Sequence, residues 1–171
     1  MAEQELSALY VRSQTYCLNA HPSHPFSNLN VGDNSLCLRS DTDEQLLIHI
    51  VFQTAVRLSA ISVKAPADDS APTSLRLYSN LSNPGFTDIE DLEMAQAISL
   101  TLSDLDSGRK IALKPVKFQR VTALTVFVPE NGGEEFTSLS ALKLYGFTLD
   151  GLDVSTIHQQ HSHQHQHQHQ S

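Results

Sequence analysis

The stretch Leu46-Leu47-Ile48-His49-Ile50-Val51-Phe52 decides how this chain folds. Leu46, Ile48, Ile50 and Phe52 fall at every second position, with Leu47, His49 and Val51 between them. Successive side chains of an extended strand leave on opposite faces, so the first set shares one face and the second set the other. Outward from it the same period returns at Leu75/Leu77, Ile98/Leu100/Leu102, Ile111/Leu113, Leu124/Val126/Val128 and Leu142/Leu144. Ala65-Pro66 through Pro72, Asn83-Pro84-Gly85, Asp106-Ser107-Gly108 and Asn131-Gly132-Gly133 read as loops between these runs. Short strands at regular spacing predict an all-β sandwich or barrel. At Pro115 the phase slips, because Ile111 and Leu113 are followed by Val116 and Phe118. Proline cannot donate to a ladder, so a bulge or a strand break is expected there. One short helix is predicted near 87–93, where Thr87-x-x-Glu90 has the form of a capping box.

The chain has 171 residues, 40% apolar and 18% charged, with no Trp. That length suits one domain, and the apolar fraction is enough for a core. The body is expected over residues 1–152. From His158 to Ser171 the composition is almost wholly His and Gln, which predicts a disordered tail over 153–171. A formal net charge of −8 opposes binding to phosphate backbones, so no nucleic-acid partner is expected. Anionic membrane surfaces are disfavoured by the same sign, and no apolar run approaches the about 20 residues that cross a bilayer. The opening Met-Ala-Glu-Gln-Glu resembles neither a secretory signal nor a transit peptide, which leaves the cytoplasm and nucleus as the expected setting. Cys17 and Cys37 lack C-x-x-C spacing and read as small core residues, with a redox-sensing thiol as the alternative.

Several clusters carry candidate chemistry. Asp41, Asp43 and Glu44 offer oxygen donors for Ca²⁺, or form a solvated turn that hydrogen-bonds its own backbone. Arg109, Lys110, Lys114, Lys117 and Arg120 gather in one short stretch of a chain with only 11 Lys and Arg. Such a local field steers an acidic protein partner, or simply decorates a sheet edge. Glu134 and Glu135 sit beside Phe136 in a glycine-bearing loop, where the phenyl ring is either a core plug or an anchor for a partner. His21 and His24 are separated by prolines that make a loop and do not hold the pair on one helix face. In the tail, His161, His163, His165, His167 and His169 offer imidazoles to Zn²⁺, Ni²⁺ or Cu²⁺; the tract also reads as a tag or a repeat expansion. G-x-S-x-G, H-E-x-x-H, Walker and G-x-G-x-x-G motifs are absent from the sequence, so no enzyme activity and no cofactor are expected.

Ser40 to Ile50, S-D-T-D-E-Q-L-L-I-H-I, is similar to the S-D-x-D-E-Q-L-L-I signature of PITH domains. Val116 to Pro129, V-K-F-Q-R-V-T-A-L-T-V-F-V-P, followed by Asn131 to Glu135, resembles the same family, as do Cys17-Leu18-Asn19, Ser62 to Pro66, Leu77 to Asn80, Phe86 to Leu92 and Leu144 to Gly146. The resemblance is best over 17–148. It implies a jelly-roll β-sandwich of galactose-binding-like type. It also implies association with the regulatory particle of the 26S proteasome, since PITH denotes a proteasome-interacting thioredoxin domain. No C-x-x-C module is present, so the chain resembles the stand-alone members, and the expected role is a non-catalytic, monomeric protein-binding module. Asp41, Asp43, Glu44, Arg109, Lys114, Lys117, Arg120, Glu134 and Glu135 are the candidate contacts. Two rival readings are carried beside it. One is a carbohydrate-binding sandwich that would stack sugar on Tyr78 or Tyr145. The other is metal handling through the tail.

Overall fold

The computed structural model describes residues 2–30 and 35–149. Among these there are strands β1 (Gln4–Glu5), β2 (Tyr16–Leu18), β3 (Leu38–Arg39), β4 (Leu46–Lys64), β5 (Ser74–Ser79), β6 (Gln96–Ser99), β7 (Ile111–Ala112), β8 (Val121–Val128), β9 (Ser138–Leu139) and β10 (Ala141–Thr148); the six period-two runs begin in β4, β5, β6, β7, β8 and β10, and β1, β2, β3 and β9 are additional to the expected strands. The deciding stretch is the beginning of β4, which continues to 19 residues. Straight, at about 3.3 Å per residue, that strand would be about 60 Å long, more than a small domain spans. It bends instead. The ladder with β8 is regular from Leu46↔Val128 to Val51↔Ala123 and resumes only at Val56↔Val121.

The bend lets β4 serve both halves of one curled eight-stranded sheet. Its first half pairs with β2 on one side and β8 on the other, and β8 continues to β5 and β6. Its second half pairs with β10 and β7, and β10 continues to β1. All these pairings are antiparallel, and β3 and β9 form a separate small ribbon. The main core lies between the two halves: Leu46, Ile48, Ile50, Val56, Leu58, Ile61 and Val63 of β4 meet Leu75, Leu77, Leu124, Val126, Val128, Leu142 and Leu144. Fully burying one such side chain is worth about 1.5–3 kcal/mol, so this layer dominates the folding energy. The sandwich is a jelly roll, as the resemblance implies; the strand pattern by itself implies a sandwich or a barrel.

A second bulge sits at Ser59, where Tyr145↔Ala60 is followed by Gly146↔Leu58. A Cβ at Gly146 would collide with the Arg57 carbonyl oxygen, so glycine is what allows β10 to close on the bulge. The outer face of the first half-sheet is also covered. Leu47, Tyr78, Ile89 and Phe127 form a smaller cluster with Tyr16, Leu18 and Phe86 against them. His49 is buried on this face, with Nδ1 2.8 Å from Thr125 Oγ1, and desolvation holds its pKa below the usual imidazole value. Its role is structural, as a lone strand histidine suggests.

The helices depart from expectation. The helix α1 covers only Phe86–Ile89, and the Gly85 N–H donates to Asp88 Oδ2 at 2.8 Å, so Asp88 rather than Glu90 satisfies the N-terminus. A second helix, α2 (Leu102–Ser107), occupies the end of the alternating Ile98/Leu100/Leu102 run and most of the loop expected at 106–108. Thr101 Oγ1 accepts from Asp104 N and the Asp104 carboxylate accepts from Thr101 N, each at 3.1 Å, and Gly108 ends the helix at φ 64°. This cap overrides the strand alternation. At Pro115 the chain does break, into a 3₁₀ turn over Pro115–Lys117 that leaves Val116 76% exposed and Phe118 fully buried. No helix of the described residues is long and apolar enough to cross a membrane.

Candidate functional site

β2 is followed by Asn19, whose φ of 67° is left-handed, a conformation asparagine tolerates better than most residues. Its side chain then organises the acidic turn that precedes β4. Nδ2 donates to Asp43 Oδ1 at 2.8 Å and to the Gln45 carbonyl at 2.7 Å. Oδ1 accepts from the Thr42 N–H at 3.0 Å and its hydroxyl at 2.9 Å. The Asn19 carbonyl accepts from Asp41 N at 2.8 Å. The 41–45 segment is therefore a turn held by hydrogen bonds, the second of the two readings its sequence allows. No group of three or more metal-ligating side chains occurs among the described residues.

The glycine-bearing loop after β8 is held the same way. Asn131 Nδ2 donates to the carbonyls of Glu134 (3.1 Å) and Phe136 (2.8 Å), and Oδ1 accepts from Gly133 N at 2.9 Å. Gly132 passes so close to a third loop that a Cβ there would lie 2.9 Å from Asp69 Cα, and its N–H donates to the Asp69 carbonyl at 2.9 Å. Within that third loop Asp68 Oδ1 accepts from Ser70 N and Oγ, which lowers the Asp68 pKa. Thr137 ties the acidic turn to the glycine loop. Its hydroxyl donates to the Glu44 carbonyl at 2.6 Å, its N–H donates to Ser40 Oγ at 2.7 Å, and its carbonyl accepts from Ser40 N at 2.9 Å.

Loops 41–45, 66–72 and 130–137 thus meet at one end of the sandwich. Asp41, Asp43, Asp68, Asp69, Glu130, Glu134 and Glu135 are exposed there, and Glu44 is half-buried. Phe136 is neither a core plug nor a bare anchor: it is half-buried with the Arg39 guanidinium 4.1 Å above its ring. The sequence marked five of these acids. It did not name Asp68, Asp69 or Glu130 as contacts, and it missed the scaffold residues Asn19, Asn131 and Thr137; of these only Asn19 carries a readable signal, the tolerance of Asn for the left-handed backbone it adopts.

The basic residues do not join this surface. Nine steps along β8 and its flanks, at about 3.4 Å each, place Arg120 about 30 Å from Pro129. Nor do they act as one ribbon. Arg109 Nε pairs with Asp104 at 2.6 Å beside the end of α2, and Lys110 pairs with Glu3 at 2.7 Å. Lys114, Lys117 and Arg120 are exposed, with no carboxylate within 4.0 Å among the described residues.

The other candidates resolve as follows. Tyr78 is buried and Tyr145 is half-buried with Lys110 Nζ 4.0 Å over its ring, so neither presents an open face for stacking a sugar. Cys17 is packed against the core, and burial pushes its thiol up to about 12; burial raises the Cys37 thiol as well. Both stay protonated near neutrality, which removes the basis for a reactive thiol. The His21 and His24 rings lie 5.4 Å apart, with no third metal-ligating side chain grouped with them among the described residues. His161, His163, His165, His167 and His169 lie outside the described residues.

A bent strand shared by two half-sheets, with loops gathered at an end, defines a galactose-binding-like jelly roll. It is similar to the family 32 carbohydrate-binding module of Clostridium perfringens NanJ, solved with galactose (TM-score 0.62, 10% identity, 84% of this chain and 99% of that one). It is likewise similar to the tandem modules of C. perfringens ZmpB (TM-score 0.64, 12% identity, 83% and 36% of the two chains). At such identities the likeness is one of fold. The PITH domain family model matches residues 1–161, and the chain belongs to that family. Thioredoxin-like protein 1 of Schizosaccharomyces pombe is 36% identical over 138 residues, 78% of this chain and 48% of that protein. PITH domain-containing protein 1 of Homo sapiens is 35% identical over 114 residues, 67% of this chain and 53% of that protein. The chain spans about half the length of these relatives.

Proposed function

We propose that this chain is a non-catalytic protein-binding module that associates with the regulatory particle of the 26S proteasome, through the acidic loop end and in the cytoplasm and nucleus. The observation that carries the reading is the Thr137 bridge, which fixes the two acid-bearing loops against each other. A surface already held in place loses little entropy when a partner docks, so its charges bind at small cost. Exposed carboxylates with no cation paired to them among the described residues favour a basic patch on the partner. Family membership supplies the proteasome as the partner to test. The carbohydrate reading rests on fold likeness alone, and its two stacking candidates are covered.

The experiment is capture from a cell extract with ATP present, using the full chain and the variant Asp41→Lys/Glu134→Lys/Glu135→Lys. Regulatory-particle subunits are expected with the parent chain and are expected to fall to background with the variant. Their absence from the parent capture, with folding verified by thermal unfolding, overturns the partner. Equal capture by both chains overturns the assignment to the acidic end.

A further inference from the structure

Away from the acidic end lies a groove of about 670 Å³ between the second half of β4, the 3₁₀ turn and β10. Leu58, Ala112, Leu113 and Phe147 line it, with Leu149 38% exposed at its mouth. One wall is the turn at Pro115, which carries Val116 at 76% exposure between Lys114 and Lys117. The opposite wall is Arg57, whose guanidinium stacks 4.4 Å above the Phe147 ring. Arg120 lies just beyond Gln119, another lining residue. Among the described residues, Glu3 reaches Ser59 at the rim and is already paired with Lys110. On a chain of net charge −8, this is a local basic surface around an apolar floor.

We propose that this groove docks an acidic peptide segment of a partner protein, with an apolar side chain on Phe147 and Leu149 above the buried Leu58 and Leu113, and flanking carboxylates on Arg57, Lys117 and Arg120. Charge complementarity chooses the occupant. Cations with no carboxylate paired to them among the described residues, beside exposed apolar surface, attract carboxylates from a distance, and the groove then buries the apolar anchor. Docking runs through side chains and not through strand addition. The free edge of β7 is closed by Gln96, whose Oε1 accepts from Lys114 N at 2.8 Å and whose Nε2 donates to the Ala112 carbonyl at 3.4 Å. The inference does not depend on the acidic end, because the two surfaces lie on different parts of the fold.

Fluorescence anisotropy of the full chain with a labelled peptide of alternating Glu and Leu tests it, with a Lys/Leu peptide as the control. Binding of the Glu/Leu peptide is expected, with no binding of the Lys/Leu peptide. Lys117→Glu/Arg120→Glu is expected to weaken it about tenfold, and Val116→Asp to weaken it too. These side chains are exposed, so thermal unfolding should match the parent and a folding defect is separable. Failure of the Glu/Leu peptide to bind, equal binding of both peptides, or unchanged binding by the folded variants overturns the proposal. Sedimentation at the same concentrations tests a second copy as the occupant. If the chain self-associates and Lys117→Glu/Arg120→Glu abolishes it, the groove takes a second copy and the peptide proposal fails.

Discussion

Asn19→Ala probes the scaffold of the acidic end most directly. The substitution removes the donors to Asp43 Oδ1 and the Gln45 carbonyl and the acceptor for Thr42 N and Oγ1. A net hydrogen bond is worth about 0.5–1.5 kcal/mol, and these are partly solvated, so the set amounts to about 2 kcal/mol. Alanine must also adopt the left-handed φ of 67°, which adds about 1 kcal/mol. The total is about 3 kcal/mol, or a fall in Tm of about 6–12 °C for a domain of this size. Asn19→Gly loses the same hydrogen bonds without the backbone penalty, so it should be about 1 kcal/mol more stable than Asn19→Ala. Urea unfolding of the three proteins measures both differences. Hydrogen exchange at Thr42 and Gln45 should speed up in both variants, because those amides lose their partners or their frame. A cost for Asn19→Ala below about 1 kcal/mol, or an Asn19→Gly chain no more stable than Asn19→Ala, would refute the reasoning.

Gly146→Ala places a Cβ against the Arg57 carbonyl at the Ser59 bulge, and either the bulge or β10 must shift. A loss of about 3 kcal/mol in urea unfolding is expected, and a near-neutral result would show that the bulge yields freely. His49 has a folded-state pKa below its unfolded value because burial disfavours the imidazolium. The unfolded chain therefore binds the proton more tightly, and the stability His49 contributes above its unfolded pKa of about 6.5 is lost as pH falls through the lower folded value. The urea midpoint should drop less between about pH 7.5 and 5.5 in His49→Asn than in the parent, and parallel profiles would sink this assignment.

The deciding stretch was readable because its first half keeps one phase, with Leu46, Ile48, Ile50 and Phe52 on the core side. The remainder of β4 was not, because the bulge at Ser59 changes parity: Val56 and Leu58 face the core before it, Ile61 and Val63 after it. A period-two count loses a strand at such a point, although the strand continues. Helix α2 was hidden for the opposite reason. Ile98, Leu100 and Leu102 keep the strand period across a boundary that the Thr101–Asp104 cap imposes. Local hydrogen bonds beat the alternation there, and the same Asp104 then pairs with Arg109, which removes one cation from the expected ribbon.

The site was legible in its parts and not in its assembly. That Asp41, Asp43 and Glu44 precede a strand, and that Glu134 and Glu135 follow glycines, is visible in the chain. That Thr137 joins them to each other is a contact between positions 93 apart in sequence, which composition and spacing do not encode. The basic stretch shows the converse limit. Proximity in sequence suggested one surface, but each cation went to the partner its own backbone conformation brought near: Arg109 to a helix end, Lys110 to Glu3, and Lys114, Lys117 and Arg120 to solvent beside a groove. The consequence is a division of charge across one small sandwich. If both surfaces bind, reversing the acidic end and reversing the groove must weaken capture independently, since sites about 30 Å apart on a rigid sheet are screened from each other at a Debye length of about 8 Å. A combined variant whose loss equals the larger single loss, and not the sum in free energy, would mean that only one of the two surfaces meets the partner.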